Sequence, residues 1–272
     1  MYYLGLSTMG SSSAALFKDG SLIFAIEEER LTRIKNDGSF PIYSIQECLD
    51  FASIDINDIS AICIYWKPWK VITRFKGVIK KLFSTLTYNK SILKIIISSL
   101  LRKSNSSYPE LKGRWLDLFR IRSIINKNFD NYKGKIVFCD HHLTHQFYAE
   151  SINEDIDSVS ISYDGGGEEY STIVSVNNMG NKKIVKKIKW PNSLGHFYSF
   201  FTGYLGFRML EGEYKMMGLA PLGSPIYKDL IYKKIIKLNK DKGDYSFNYN
   251  LCDYHSALEG KFNPKLFNNF IK

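Results

Sequence analysis

Twice along this chain a short apolar run ends in a turn of small and polar residues and two more β-rich runs follow it. The first copy is "YYLGLS" and then "SAALFKDGSLIFAIEEER", with an Asp-Gly hairpin signal at Asp19-Gly20. The second is "SVSISYDGGGEEYSTIVSVNNMGNKKIVKKIKW", with a Gly-rich first turn and an "NMGN" second turn. Each copy reads as a three-stranded meander. A chain that builds the same meander twice is restricted to folds with two related lobes, and 272 residues suffice to give each lobe a core.

Two such lobes in sequence, each placing its first turn towards a shared cleft, are the plan of the actin-like ATPases and sugar kinases. The predicted class is therefore α/β, an actin-like ATPase / sugar-kinase (ribonuclease H-like) fold with two β-meander lobes. "SIQECLDFASI" has helical spacing, and "ISAICIYW" suits a buried strand. The Lys/Arg-rich stretch of about 68–130 reads as a helical insertion, and "GKIVFCD" gives one more strand before "HHLTHQFYAES" opens a helix. The first lobe then covers 1–152 and the second begins at 153.

Histidine is scarce, five in all, and three of them fall in "CDHHLTHQ", Cys139 to Gln146. His141 and His145 are four apart, so on a helix they lie one above the other, close enough to hold one ion. Two solvent-facing histidines are the plain alternative. In "YDGGGE", Asp164 is followed by Gly165, Gly166 and Gly167, where backbone N–H groups can approach a phosphate and the carboxylate can ligate a cation; a hairpin turn rich in glycine is the alternative. Two histidines and one carboxylate suit Fe(II), Zn or Mn and leave coordination positions open. In "EGEYKMMGLAP", Glu213 and Lys215 stand between Gly212 and Gly218 at a helix entry where a cation can meet phosphate, or where the two form a surface ion pair. The aromatics of "HFYSFFTGYLGF" read as core.

A hydrophobic fraction of 44% with 24% charged residues argues against disorder. The net charge of +10 raises nucleic acid as a partner, but no basic run is interleaved with aromatics on a strand platform, so no nucleic-acid partner is expected. Four scattered cysteines without a CxxC pair argue against a zinc knuckle or a disulfide framework. No segment is apolar over the ~20 residues a bilayer span needs, and no signal-peptide pattern opens the chain. A cytoplasmic protein without a membrane partner is expected.

In order, "GLSTMGSSSAAL", "AIEEERLTRIKNDGSFP", "HHLTH", "DGGGE", "PNSLGHFYSFFTGYLGF" and "GEYKMMGLAP" resemble the amino-terminal part of the O-carbamoyltransferases of the nodulation-factor, cephamycin and tobramycin type. The resemblance implies an actin-like domain that transfers a carbamoyl group to a hydroxyl of a sugar or natural product. The donor is carbamoyl-adenylate, made from carbamoyl phosphate and ATP by a carboxy-terminal YrdC-like domain. It implies His141, His145 and Asp164 as metal ligands, with iron the expected metal and His142 beside them without a ligand role. It implies Gly165, Gly166 and Gly167 as a phosphate-contacting loop, with Arg30 and Lys35 near the cleft.

The resemblance also exposes departures. Residues 153–272 correspond to an incomplete second lobe, the YrdC-like domain has no counterpart, and a carboxy-terminal half acting in trans is expected. Gly10 and Ser11 stand where the family has a His-Asp pair facing the acceptor, and Gln146 stands where a small alanine is common. These departures keep open a non-catalytic module that binds metal or nucleotide. A sugar kinase of the same fold is the weaker alternative, since it has no need of a His-x-x-x-His pair.

Overall fold

The computed structural model describes residues 1–8, 10–70, 115–153, 157–209, 211–248, 251–254, 260–262 and 268. These residues form a mixed α/β protein. By contacts among them, residues up to His141 form one compact unit and those from His142 onward another.

In the first unit, strands β1 (Tyr2–Ser7), β2 (Ser13–Lys18), β3 (Ser21–Glu27), β4 (Ile59–Ile64) and β5 (Lys135–Phe138) form one sheet in the order β3-β2-β1-β4-β5. The β1-β2-β3 meander is antiparallel, whereas β4 and β5 join in parallel. Parallel pairing demands a crossover. Between β3 and β4 it is made by helices α1 (Glu28–Thr32) and α2 (Ile42–Ala52). The register sets Leu4 against Leu16 and Ile62, and Leu6 against Ala14 and Ile64, so one face of the sheet is an unbroken apolar row. All six are buried, as are Ile45, Cys48 and Leu49 of α2, which packs on β2 and β3. Of the insertion expected over about 68–130, residues 71–114 lie outside the described part. Its ends are a 3-10 turn at Pro68–Lys70 and helix α3 (Ile121–Asn128), which buries Ile121 and Ile125.

Helix α2 has Pro41 at its N-cap and no capping side chain there. The buried carboxylate of Glu28 does that work: it accepts from the amides of Tyr43 (3.1 Å) and Ser44 (2.8 Å) and from the Ser44 hydroxyl (2.6 Å). Glu29 accepts from the Asn36 amide, and Asp37 accepts from Thr32 and from Ser39. The "EEERLTRIKNDGS" stretch is thus a hydrogen-bonded knot joining β3 to α2.

The second unit carries helix α4 (His141–Ser151, its first residue counted with the first unit), strands β6 (Ser158–Tyr163), β7 (Tyr170–Asn178) and β8 (Asn181–Lys189), and helix α5 (Leu194–Tyr204). The three strands form an antiparallel meander. Helix α6 (Glu213–Leu219) buries none of its residues; helix α7 (Lys228–Lys234) and the β9/β10 (Ile236–Asn239, Asp244–Phe247) and β11/β12 (Cys252–Tyr254, Gly260–Phe262) hairpins follow. Phe200 of α5 forms a small aromatic core with Ile235, Leu251 and Phe262, flanked by Phe197 and Phe201.

Strand β6 reverses the ordinary amphipathic rule. Ser160 and Ser162 are buried, while Val159, Ile161 and Tyr163 are each about 60% exposed. The buried serines meet α4, whose inward column His142, Gln146 and Glu150 is polar throughout. Gln146 donates to the carbonyls of Ser160 (3.2 Å) and Ile173 (2.9 Å) and accepts from Ser175 (2.8 Å). Glu150 accepts from Ser160 and pairs with Lys182 at 2.9 Å. Among the described residues, no helix is long and apolar enough to cross a membrane.

Candidate metal centre

Helix α4 starts where β5 ends; the amide of Cys139 donates to the Ile64 carbonyl and carries the parallel ladder to the edge of the helix. The start of the helix therefore presents His141 and His145 on one face, towards Asp164, and His142 on another, towards the sheet. His142 is buried, with Nε2 2.8 Å from the Tyr170 carbonyl and Nδ1 3.1 Å from the Ser162 hydroxyl. A carbonyl only accepts, so Nε2 carries the proton and Nδ1 accepts from Ser162. Both nitrogens thus bond groups of the sheet, and Nε2 also lies 3.6 Å from Asp164 Oδ1.

His141 lies against two aromatic rings, Tyr65 at 5.5 Å and Trp66 at 4.7 Å between centroids. Beside it, Asp140 is held by Lys67 (2.6 Å) and Lys70 (2.5 Å). Burial alone would raise the Asp140 pKa, but the two lysine hydrogen bonds outweigh it and hold the carboxyl below the usual range. The side chain of His145 is 55% exposed, and its Nε2 lies 3.6 Å from Asp164 Oδ2.

One ligand atom from each of His141, His145 and Asp164 falls within 4.8 Å of the others. In a site with bonds of about 2.1 Å, neighbouring ligand atoms are about 3.0–3.4 Å apart. The His145–Asp164 edge is already near that value, and modest side-chain rotation closes the rest, so the three residues fit a divalent cation. Gln146, the outsized residue in the motif, points away from the centre into the sheet.

The glycines after Asp164 are closely engaged. The Gly166 amide donates to Asp164 Oδ1 (2.6 Å) and the Gly167 amide to the Tyr170 carbonyl (2.8 Å). Of the three, only the Gly165 amide stands outside these bonds. A Cβ on Gly165 would sit 3.2–3.3 Å from the His196 ring. The loop is built as a tight hydrogen-bonded turn in which the three amides are not equivalent.

The remaining sequence candidates are scattered over the two units. Arg30 is 65% exposed, with Glu27 at 3.3 Å and Glu29 at 3.6 Å. Lys35 is exposed. Glu213 opens α6 and accepts from the Ser199 hydroxyl, while Lys215 is exposed, 5.9 Å over the Tyr214 ring. Among the described residues a Cβ on Gly10 would meet nothing within 4 Å. Ser193 and Gly195, which touch the Asp164 backbone, escape sequence reasoning because "PNSLGHF" reads simply as the entry to an aromatic core helix.

The family model described as carbamoyltransferase N-terminus matches residues 2–270. An uncharacterized protein of Synechocystis is 32% identical over 267 residues, covering 94% of this chain and 40% of that protein. The nodulation protein NolNO of Sinorhizobium fredii is 31% identical over 239 residues, covering 87% of this chain and 31% of its own length. The chain thus spans less than half the length of these curated relatives. Among solved structures, YeaZ from Pseudomonas aeruginosa overlaps 70% of this chain and 67% of its own with 9% identity and a TM-score of 0.34, a likeness too distant to bear on the fold.

Proposed function

The chain belongs to the carbamoyltransferase amino-terminal family, and from that premise we propose that it is the acceptor-side part of an O-carbamoyltransferase. The reaction moves a carbamoyl group from carbamoyl-adenylate, formed from carbamoyl phosphate and ATP, to a hydroxyl of a sugar or natural product. A carboxy-terminal half, joined to the chain or acting in trans, forms the adenylate. The family match over residues 2–270 carries this reading. The actin-like assignment is supported by the β3-β2-β1-β4-β5 order, a meander followed by parallel strands, and by the second meander β6-β7-β8.

His141, His145 and Asp164 hold the cation, Fe(II) or another divalent metal such as Zn or Mn. When bound it offsets charge on the adenylate phosphate and polarises the carbamoyl carbonyl. The chain's own residues prepare the place. Tyr65 and Trp66 hold the His141 ring, and the Gly166 amide holds one oxygen of Asp164 so that the other faces His145. The amide of Gly165 meets a phosphate oxygen, and the exposed cations Arg30, Lys35 and Lys215, with Glu213 anchoring the α6 entry, serve the nucleotide. Gly10 and Ser11 provide no base for the acceptor hydroxyl, so the proton leaves to a group outside that turn. This substitution also favours a second reading, a module that binds metal or nucleotide without catalysis.

Radiolabelled carbamoyl phosphate and ATP, supplied with the chain and the separately expressed downstream part of the Synechocystis relative, should label a hydroxyl acceptor from a sugar panel. Absence of labelled product with every acceptor would favour the binding module. Metal content is the companion measurement: chain purified without oxygen should hold near-stoichiometric metal by elemental analysis, and His145→Ala should hold almost none.

A further inference from the structure

We propose that the first turn of α5, through Ser193 and Gly195, is the positioning element that aims Asp164 at the metal. This rests on the ligand set assigned above and adds to it the device that makes one ligand reliable. Asp164 sits at the end of β6, where strand pairing stops constraining the chain. Its amide still donates to the Ser171 carbonyl at 3.2 Å. Its carbonyl accepts from two groups of α5, the Ser193 hydroxyl at 2.6 Å and the Gly195 amide at 3.3 Å. Its Oδ1 accepts from the Gly166 amide at 2.6 Å. With those three groups fixed, the carboxylate has one orientation, and Oδ2 is the oxygen that faces His145 at 3.6 Å.

Two features show that the contact is built rather than incidental. Ser193 Oγ has two tasks at once: it donates to the Asp164 carbonyl and accepts from the His196 amide at 3.0 Å as the N-cap of α5. The helix cannot be capped by this residue without its hydroxyl hydrogen being free to hold Asp164. Gly195 leaves no room for a side chain, since a Cβ there would lie 2.5 Å from both Asp164 C and Gly165 N. These are backbone atoms, which cannot swing aside as a flexible side chain would. Any residue larger than glycine must therefore push the Asp164–Gly165 peptide, and the carboxylate moves with it. The other end of α5 is set in the aromatic core through Phe200 and Phe201 against Phe262, so the helix is the fixed body and the Asp164 turn the part that yields. An outer partner of a ligating carboxylate acts by holding its direction, and its removal typically costs about 10–100-fold in metal affinity.

Metal-free chain titrated with cobalt(II), followed by the d–d absorption band, tests this without any turnover. Wild type should bind, and His145→Ala should not. Ser193→Ala and Gly195→Ala should weaken binding by about tenfold or more and alter the band's intensity at saturating cobalt, which a loss of stability alone does not do. Ser193→Thr, which keeps the hydroxyl, should restore both affinity and band. Wild-type affinity and band in Ser193→Ala and Gly195→Ala would overturn the positioning role while leaving the ligand set intact. Weakened binding with an unchanged band, in step with a lower thermal midpoint and not rescued by Ser193→Thr, would overturn it in favour of a merely structural contact. No cobalt binding by wild type would remove the ligand set itself and this role with it. Should Gly195→Ala fail to fold, the Ser193→Ala and Ser193→Thr pair decides.

Discussion

Helices α2 and α4 each run for eleven residues, and each covers a β-meander, yet they are attached by opposite chemistry. Helix α2 packs on β2 and β3 through the buried Ile45, Cys48 and Leu49, an apolar interface. Helix α4 lays His142, Gln146 and Glu150 on Ser160, Ser162 and Ser175, an interface of hydrogen bonds. Apolar burial is non-directional: it holds a helix down without fixing its rotation sharply. Hydrogen bonds at defined angles fix both rotation and axial position. The helix that carries His141 and His145 is the one held by the directional kind. Glu28 shows the same device on a smaller scale in the first unit, where one carboxylate fixes the start of α2.

The largest effect expected from this contrast is in the hydrocarbon interface. Ile45→Ala removes a side chain with no exposed surface and should cost about 2–5 kcal/mol. Urea unfolding measures it, with the Trp66 and Trp69 signals reporting the first unit and Trp190 the second. The contrast breaks if Ile45→Ala shifts the Trp190 transition as much as that of the first unit.

Gln146→Leu comes next. It keeps the volume roughly and deletes the carboxamide that meets Ser160, Ile173 and Ser175. A cost of about 2 kcal/mol is expected, chiefly from the buried Ser175 hydroxyl and carbonyls left with fewer partners. The sharper expectation is a weaker cobalt site, because a helix freed to rotate carries His145 away from Asp164. Unchanged cobalt affinity in a destabilised Gln146→Leu protein would mean that the seam serves stability alone.

The sequence carried most of the strand pattern because alternation has a period of two whichever face is buried. It did not carry the sign of that alternation. "SVSISY" looks like a strand with Val159 and Ile161 inward, and only the polar column of α4 makes the serines the inner face. The His141–His145 pair was legible because a four-residue interval on a helix brings two side chains together without help from the rest of the fold. The direction of Gln146 was not, since it depends on which way α4 turns towards β6 and β7. The resemblance set Arg30 and Lys35 of "EEERLTRIK" near the cleft, but it said nothing of Glu28 and Glu29, which are spent on backbone amides that lie seven to sixteen positions away. Long-range capping of that kind leaves no local trace. The same holds for Ser193 and Gly195, whose target, Asp164, is separated from them by two strands.

The smallest effect expected is electrostatic. Glu150 ends the inward column of α4 and is mostly buried, its side chain 17% exposed. Burial alone would raise its pKa, but the hydrogen bonds from Ser160 and Lys182 outweigh that and lower it. A carboxyl whose folded pKa is depressed stabilises the fold above its unfolded pKa, about 4.3 for glutamate, and that contribution fades as pH falls through the folded value. Glu150→Gln should therefore be less stable than wild type by about 1 kcal/mol near neutrality, and the gap should close as the pH is taken below about 4. Thermal melts followed through Trp190 across that range measure it. A gap that persists undiminished to about pH 3 would mean that α4 is held at this end by the geometry of its hydrogen bonds and not by the carboxylate's charge. The seam would then be directional without being ionic, and the difference between the two helices would come down to hydrogen-bond geometry against hydrocarbon.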